Sequence, residues 1–141
     1  MDIPTLWAQH AEIEVLAKDL LTVVSEDRRR SVGSLRWRLA RALIAHLAIE
    51  DRFLYPRLIG GSDPAVAEVA RRFQAEMGGL GEKFTGYMSR WTDDEVIADW
   101  PTFCRETKDI LATLLSRISR ENEQLYSSTE FLKPEPRRRE G

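Results

Sequence analysis

The amino-acid sequence predicts an all-α protein, an up-down-up-down bundle of four helices. Four long segments repeat apolar residues every three or four positions, the spacing of a helix that is buried on one side. No long stretch alternates apolar and polar residues, and no Asn-Gly or Asp-Gly hairpin turn occurs. The links between the four segments are short, which favours antiparallel neighbours in a bundle.

The starts of the first three helices follow from local signals. The first helix is predicted over residues 4–26, because Pro4 suits a first turn, where its missing N–H is no loss. Apolar spacing predicts the second helix over residues 31–58. The third begins at Ser62-Asp63-Pro64, a capping residue followed by proline at the first helical position, and extends to about Arg90.

The second half of the chain contains two weaker signals. Glycines at positions 78, 79, 81 and 86 fall inside the third helix, and each costs about 0.8–1 kcal/mol relative to alanine. A bend, or unusually close packing, is therefore predicted around residues 78–81. The fourth helix ends near Tyr126. Thr92-Asp93-Asp94-Glu95 is typical of a capping box, which opens either a short helix before Trp100 or the fourth helix itself.

Length and composition indicate one ordinary globular domain. The chain has 141 residues, with 43% hydrophobic and 31% charged residues. The bundle is predicted at residues 1–128, followed at residues 129–141 by a charged, proline-containing tail that is expected to be disordered. With 21 basic and 23 acidic residues the net charge is −2, which argues against a nucleic-acid partner.

Membrane insertion and secretion are not expected. The longest apolar runs are far shorter than the roughly 20 residues of a transmembrane helix. The first residues have neither the basic nor the apolar region of a secretory signal. Cys104 is the single cysteine, so no intrachain disulfide is possible, and a reducing, cytoplasmic location is expected.

The chemistry is predicted to centre on the two histidines of the chain. His46 and Glu50 are four residues apart, so on a helix they share one face, and Leu43 and Leu54 place that face toward the core. A buried carboxylate is costly unless a partner such as a metal ion neutralises it. His10 falls in the apolar stripe of the first helix in the same way.

Two internal similarities bring further residues to the same end of the bundle. The second and fourth helices match at an offset of 71 residues, which aligns Glu50 with Glu121 and His46 with Arg117. The first and third helices match at an offset of 67 residues, which aligns His10 with Met77. In an up-down bundle all of these positions lie near one end.

These residues resemble the hemerythrin-like, HHE cation-binding family over about residues 4–128. The segments that carry the resemblance are Gln9-His10 with Ile13, residues 46–50 with Phe53-Leu54-Tyr55-Pro56, and residues 117–121 with Leu125-Tyr126. The resemblance implies a four-helix bundle that holds two bridged non-haem irons. It also implies a histidine on helices one and three and a histidine-x-x-x-carboxylate on helices two and four.

Only part of the implied ligand set is present. Four positions match: His10, His46, Glu50 and Glu121. Met77 and Arg117 stand where the other two histidines would be, and Glu76, one register step away, is a candidate substitute ligand. A thioether is a soft, weak ligand, and a protonated guanidinium is not a ligand. One half-site is therefore expected, for a single Fe or Zn ion (Mn(II) also suits the donors), and a full di-iron centre is not expected.

Two functions remain open at this point, and an enzyme ranks third behind them. The favoured one is metal binding or sensing without catalysis, because no nucleophile–base pair is visible. The alternative is a metal-free interaction module for an unidentified protein partner. Arg117 also has two predicted orientations. It either fills the space of the second metal and pairs with Glu121 and Glu50, or it points outward to exposed acids.

Overall fold

The computed structural model describes residues 3–26 and 28–126, of which residues 3, 4 and 126 by backbone alone. Helices joined by turns make up this described part, and no strand occurs in it. Seven α-helices are α1 (Ile3–Val24), α2 (Gly33–Ile49), α3 (Tyr55–Ile59), α4 (Pro64–Met77), α5 (Leu80–Arg90), α6 (Asp93–Ala98) and α7 (Trp100–Arg120). Two π-helical segments, Glu50–Leu54 and Glu121–Tyr126, continue α2 and α7.

These elements form the four arms of a bundle, which confirms the predicted fold. The first arm is α1, the second is α2 with the first π-helical segment and α3, the third is α4 with α5, and the fourth is α7 with the second π-helical segment. Helix α1 packs against α2 and α7, α2 against α5, and α3 against α4. The predicted boundary at residue 128 and the tail beyond it lie outside the described residues.

Side-chain caps fix where the helices begin. The Asp63 carboxylate accepts hydrogen bonds from the backbone N–H of Ala65 and Val66 at the start of α4. The Thr92 hydroxyl accepts one from the backbone N–H of Glu95, so the capping box opens the short helix α6. The fourth arm has its own cap at Asp99. Of the two alternatives left by the sequence, the separate short helix is the correct one.

The third arm is interrupted at Gly78 and Gly79, between α4 and α5. A Cβ atom at Gly78 would clash with the Gln74 carbonyl oxygen, so a larger residue could not be placed there without a backbone shift. A Cβ atom at Gly81 would lie 3.9 Å from Leu47, an ordinary contact. The predicted irregularity is therefore a break in the helix rather than unusually close packing.

A layer of buried polar residues divides the core into two hydrophobic clusters. On α1, Leu6 belongs to the smaller cluster and Ile13 to the larger one, and His10 lies between them. The polar layer consists of His10, His46, Glu50, Arg117 and Glu121. Apolar clusters therefore lie on both sides of this layer. None of the helices in the described residues is long and apolar enough to cross a membrane.

Candidate metal centre

Both π-helical segments begin at a glutamate of the polar layer. A step of four residues along an α-helix overshoots one turn by about 40°, so side chains at that spacing drift off one face. The wider turn of a π-helix takes up the extra residue, and π-turns are frequent at functional sites. His46, Glu50 and Leu54 are all buried on the second arm, with the π-helical segment covering the step from Glu50 to Leu54. Arg117, Glu121 and Leu125 repeat this arrangement on the fourth arm.

Four potential metal ligands converge in the polar layer. One ligand atom from each of His10, His46, Glu50 and Glu121 lies within 4.8 Å of all the others. His10 Nε2 is 3.3 Å from Glu50 Oε2 and 3.2 Å from Glu121 Oε1, and His46 Nε2 is 3.2 Å from Glu50 Oε2. All four residues are at most 2% exposed. The structure thus brings together the four residues that the sequence proposed as ligands.

Two side-chain amides orient the imidazole rings. The Nδ1 atom of His10 is 2.8 Å from Oδ1 of Asn122, and Nδ1 of His46 is 2.7 Å from Oε1 of Gln9. Because an amide oxygen only accepts, each Nδ1 carries the hydrogen and donates it. The Nε2 atom of each ring therefore points toward the carboxylates with a lone pair available for a metal, an arrangement that supports metal-ligating histidines.

Two of the converging atoms lack a hydrogen bond. His46 Nε2 and Glu121 Oε1 are buried, and neither has a hydrogen-bond partner among the described residues. Both are acceptors when the imidazole is neutral, so they cannot satisfy each other. Leaving such atoms buried is costly. A cation between them removes the conflict, and two imidazoles with two carboxylates suit Zn(II), Fe(II) or Mn(II). The residues therefore fit one metal ion.

The electrostatics of the metal-free cluster show an excess of negative charge. Burial alone would lower the pKa of His10, but the carboxylates of Glu121 and Glu50 beside its ring outweigh burial and raise the pKa to about 10. Burial and the charge of Glu50 raise the pKa of Glu121. Burial opposes ionisation of Glu50 as well, but the hydrogen bond to His10 and the charge of Arg117 hold its pKa well below the usual value. The raised pKa of His10 shows that the two carboxylates favour a positive charge at this point of the layer.

Arg117 points inward and pairs with the same two glutamates. Its side chain is 1% exposed, Nε is 3.2 Å from Glu121 Oε2, and Nη2 is 3.0 Å from Glu50 Oε1. Nη2 also donates to Asp51 Oδ1 at 2.9 Å, and Nη1 donates to the Met77 carbonyl oxygen at 2.9 Å. Burial opposes its charge, but Glu121 and Glu50 together raise the pKa of Arg117. Of the two predicted orientations, the inward one is observed.

The Arg117 guanidinium occupies the face of both glutamates that is turned away from the histidines. The Met77 sulfur is 3.7 Å from Nη1 of Arg120, so it contacts a cation rather than the cluster. The Tyr55 hydroxyl donates to Glu121 Oε2 at 2.6 Å and further satisfies that oxygen. No pair of residues in the described chain replaces the two implied histidines.

The expectation that Glu76 could substitute for a lost ligand is corrected. Glu76 is exposed, and its carboxylate accepts a hydrogen bond from Arg120 Nη2. One residue along an α-helix is a rotation of about 100°, which is enough to turn the side chain of Glu76 from the core to the solvent. The register step that seemed small in the sequence therefore removes Glu76 from the site.

Four residues with contacts in the site were not singled out as site residues in the sequence. Gln9, Asn122, Asp51 and Tyr55 all bond to members of the polar layer. The first three are each the immediate neighbour of a proposed ligand, and Tyr55 belongs to the segment that carries the family resemblance. A polar residue next to a ligand is a usable signal, but only the packing shows which partner it reaches.

The fold and the ligand cluster define a helical bundle with an internal candidate cation site. A family model for the hemerythrin HHE cation-binding domain matches residues 1–128. The chain therefore belongs to the hemerythrin HHE cation-binding domain family. Comparisons with curated proteins and with solved structures gave no significant match.

Proposed function

We propose that this protein binds a single metal ion through His10, His46, Glu50 and Glu121, and that it binds or senses rather than catalyses. One observation carries the proposal. Four buried ligand atoms lie within 4.8 Å of one another, and two of them, His46 Nε2 and Glu121 Oε1, have no hydrogen-bond partner in the described structure. An ion would supply the positive charge that these atoms face, and Fe or Zn suits the donor set.

The surroundings of the cluster support binding rather than turnover. The four ligands are at most 2% exposed, so little of them faces the solvent from which a substrate would arrive. Gln9 and Asn122 hold the two imidazoles with Nε2 directed at the carboxylates. Tyr55 and Arg117 donate hydrogen bonds to the glutamate oxygens that face away from the histidines. A preformed, enclosed site of this kind retains an ion, and the state of that ion can be sensed by the bundle around it.

The proposal is tested by metal content and by a titration with Zn²⁺. Protein purified without chelator should contain about one equivalent of metal, and chelator-treated protein should take up one equivalent of Zn²⁺. His46→Leu, which keeps an apolar side chain in the core, should weaken binding by more than the roughly 10–100-fold that loss of an outer hydrogen-bond partner costs. Glu76→Gln, an exposed neighbour of the layer, is the matched control and should bind like the wild type.

A second candidate function is a metal-free interaction module. The observation in its favour is that His10 Nε2 lies 3.3 Å from Glu50 Oε2 and 3.2 Å from Glu121 Oε1, so a proton on His10 can partly replace the metal. The same titration distinguishes the two. Folded wild-type protein that takes up no Zn²⁺, or a His46→Leu variant that binds as well as the wild type, contradicts the metal-binding proposal.

A further inference from the structure

The two glutamates of the polar layer are each shared between two sides. Glu50 directs Oε2 toward the histidines and Oε1 toward Arg117. Glu121 directs Oε1 toward His10 and Oε2 toward Arg117. Each carboxylate therefore bridges the candidate metal position and the guanidinium. This is the arrangement of a carboxylate between two cations, in which one of the cations is a side chain of the protein.

We propose that Arg117 is the second cation of this site, and that its fixed charge limits the site to one metal ion and favours the divalent state of that ion. The inference rests on the proposed function and adds to it the number and the charge of the ion. It concerns a residue that lies at the position where the family resemblance implies a histidine ligand.

The charge around the guanidinium supports a single divalent ion. Buried Glu50 and Glu121 and the partly exposed Asp51, with a side chain that is 29% exposed, supply three negative charges, and Arg117, which bonds to all three, supplies one positive charge. A divalent ion beside neutral histidines would neutralise the remaining two. A trivalent ion would leave one positive charge in excess, and a second divalent ion would leave two. Because uncompensated buried charge is strongly unfavourable, both alternatives are disfavoured.

The contacts of the guanidinium show that it is held in place rather than accommodated loosely. Nε, Nη1 and Nη2 all donate hydrogen bonds, and the acceptors come from the second, third and fourth arms. Forked, charge-assisted bonds of this kind are short and directional. The Met77 carbonyl is one acceptor, so the two positions that lack the implied histidines contact each other. A metal ion that entered on this side would have to displace the guanidinium from all four of its hydrogen-bond acceptors.

Variants at position 117 test the stoichiometry. The full chain, freed of metal by chelator, is titrated with Zn²⁺ alone. The wild type and Arg117→Lys should bind one equivalent, and Met77→His with Arg117→His should bind two. Arg117→Gln removes one positive charge and should bind its single Zn²⁺ at least tenfold more tightly. Arg120→Gln, a partly exposed arginine one turn away, is the control and should match the wild type.

The reduction potential tests the charge state. With one ferrous ion loaded, oxidation removes one electron to the electrode and leaves Fe(III). Arg117→Gln should favour Fe(III) over Fe(II) by at least tenfold relative to the wild type, which for one electron is a fall of about 59 mV in the potential. Arg120→Gln should leave the potential unchanged.

The outcomes separate this inference from the proposed function. Zero equivalents of Zn²⁺ in the folded wild type would overturn both. Two equivalents at the cluster in the wild type, or equal Zn²⁺ affinity in the wild type and Arg117→Gln, would overturn the role of Arg117 alone. If Arg117→Gln does not fold, the variant that combines Met77→His with Arg117→His provides the test. In that variant a second metal ion should take the place of the guanidinium. A single equivalent in that variant would then refute the inference.

Discussion

The two sides of the polar layer satisfy the same two glutamates in different ways. On one side Arg117 donates to Glu50, Asp51, Glu121 and the Met77 carbonyl. On the other side His46 Nε2 and Glu121 Oε1 remain buried without a hydrogen bond within the described residues. The first side is satisfied by side chains alone, whereas the second leaves two buried atoms without a hydrogen bond. This difference is what we expect if the arginine takes the place of one metal ion and the position of the other is kept.

The largest expected effect comes from breaking the arginine side. Arg117→Ala in chelator should lower the free energy of unfolding by about 3 kcal/mol, because it leaves buried carboxylates without their counter-charge. Denaturant unfolding measures this loss. Arg120→Ala, which removes a partly exposed pair with Glu76, should cost no more than about 1 kcal/mol. A loss below about 0.5 kcal/mol for Arg117→Ala would mean that the guanidinium does not balance the glutamates.

The next effect comes from completing the histidine side. Free Zn²⁺ at 100 times its dissociation constant should stabilise the chelator-treated wild type by about 2.7 kcal/mol. His46→Leu should show almost none of this gain. The metal-free protein should keep its helical circular dichroism, because apolar clusters lie on both sides of the layer. Loss of helicity in chelator would show that the bundle requires metal to fold.

Two buried tyrosines show how much a hydrogen bond to a glutamate of the polar layer contributes to stability. The Tyr55 hydroxyl donates to the charged Glu121, while the Tyr87 hydroxyl shares a hydrogen bond with the neutral Thr107. Tyr55→Phe should therefore cost about 2 kcal/mol of unfolding free energy, and Tyr87→Phe about 1 kcal/mol. Thermal and urea unfolding of both variants gives the two values. Equal costs would indicate that Glu121 gains nothing from the phenol in the layer.

The smallest expected effect is the pH dependence of the unfolding free energy of chelator-treated protein, which depends on His10. The folded pKa of His10 is raised from 6.5 to about 10, so its stabilising contribution is fully present below pH 6.5 and is lost as pH rises through about 10. Between pH 7 and 8 this corresponds to a fall of about 1.4 kcal/mol. Urea midpoints across this range measure the fall, and His10→Asn should remove it. A wild-type stability that stays constant or rises from pH 7 to 9 would contradict the raised pKa.

Much of the fold and of the candidate site follows from the sequence. The apolar stripes, the caps at Asp63 and Thr92 and the glycines at 78 and 79 mark features that the structure contains. His10, His46, Glu50 and Glu121 could be selected because a polar residue within an apolar stripe must face the core.

The remaining features depend on rotation between helices, which local spacing does not determine. Gln9 and Asn122 reach histidines on other arms of the bundle, and their reach depends on how α1, α2 and the fourth arm pack. The π-helical segments depend on the same packing, because they keep four-residue steps on one face. Glu76 failed as a candidate for the related reason that one residue of register changes the face of a helix.

The most direct test of the account is a crystal structure of the wild-type protein loaded with Zn²⁺, with the ion located by anomalous scattering. We predict one peak per chain, bound by His10, His46, Glu50 and Glu121, with Arg117 still bonded to the far oxygens of both glutamates. Two peaks in the polar layer, a guanidinium displaced to the surface, or a peak bound by other residues would contradict it.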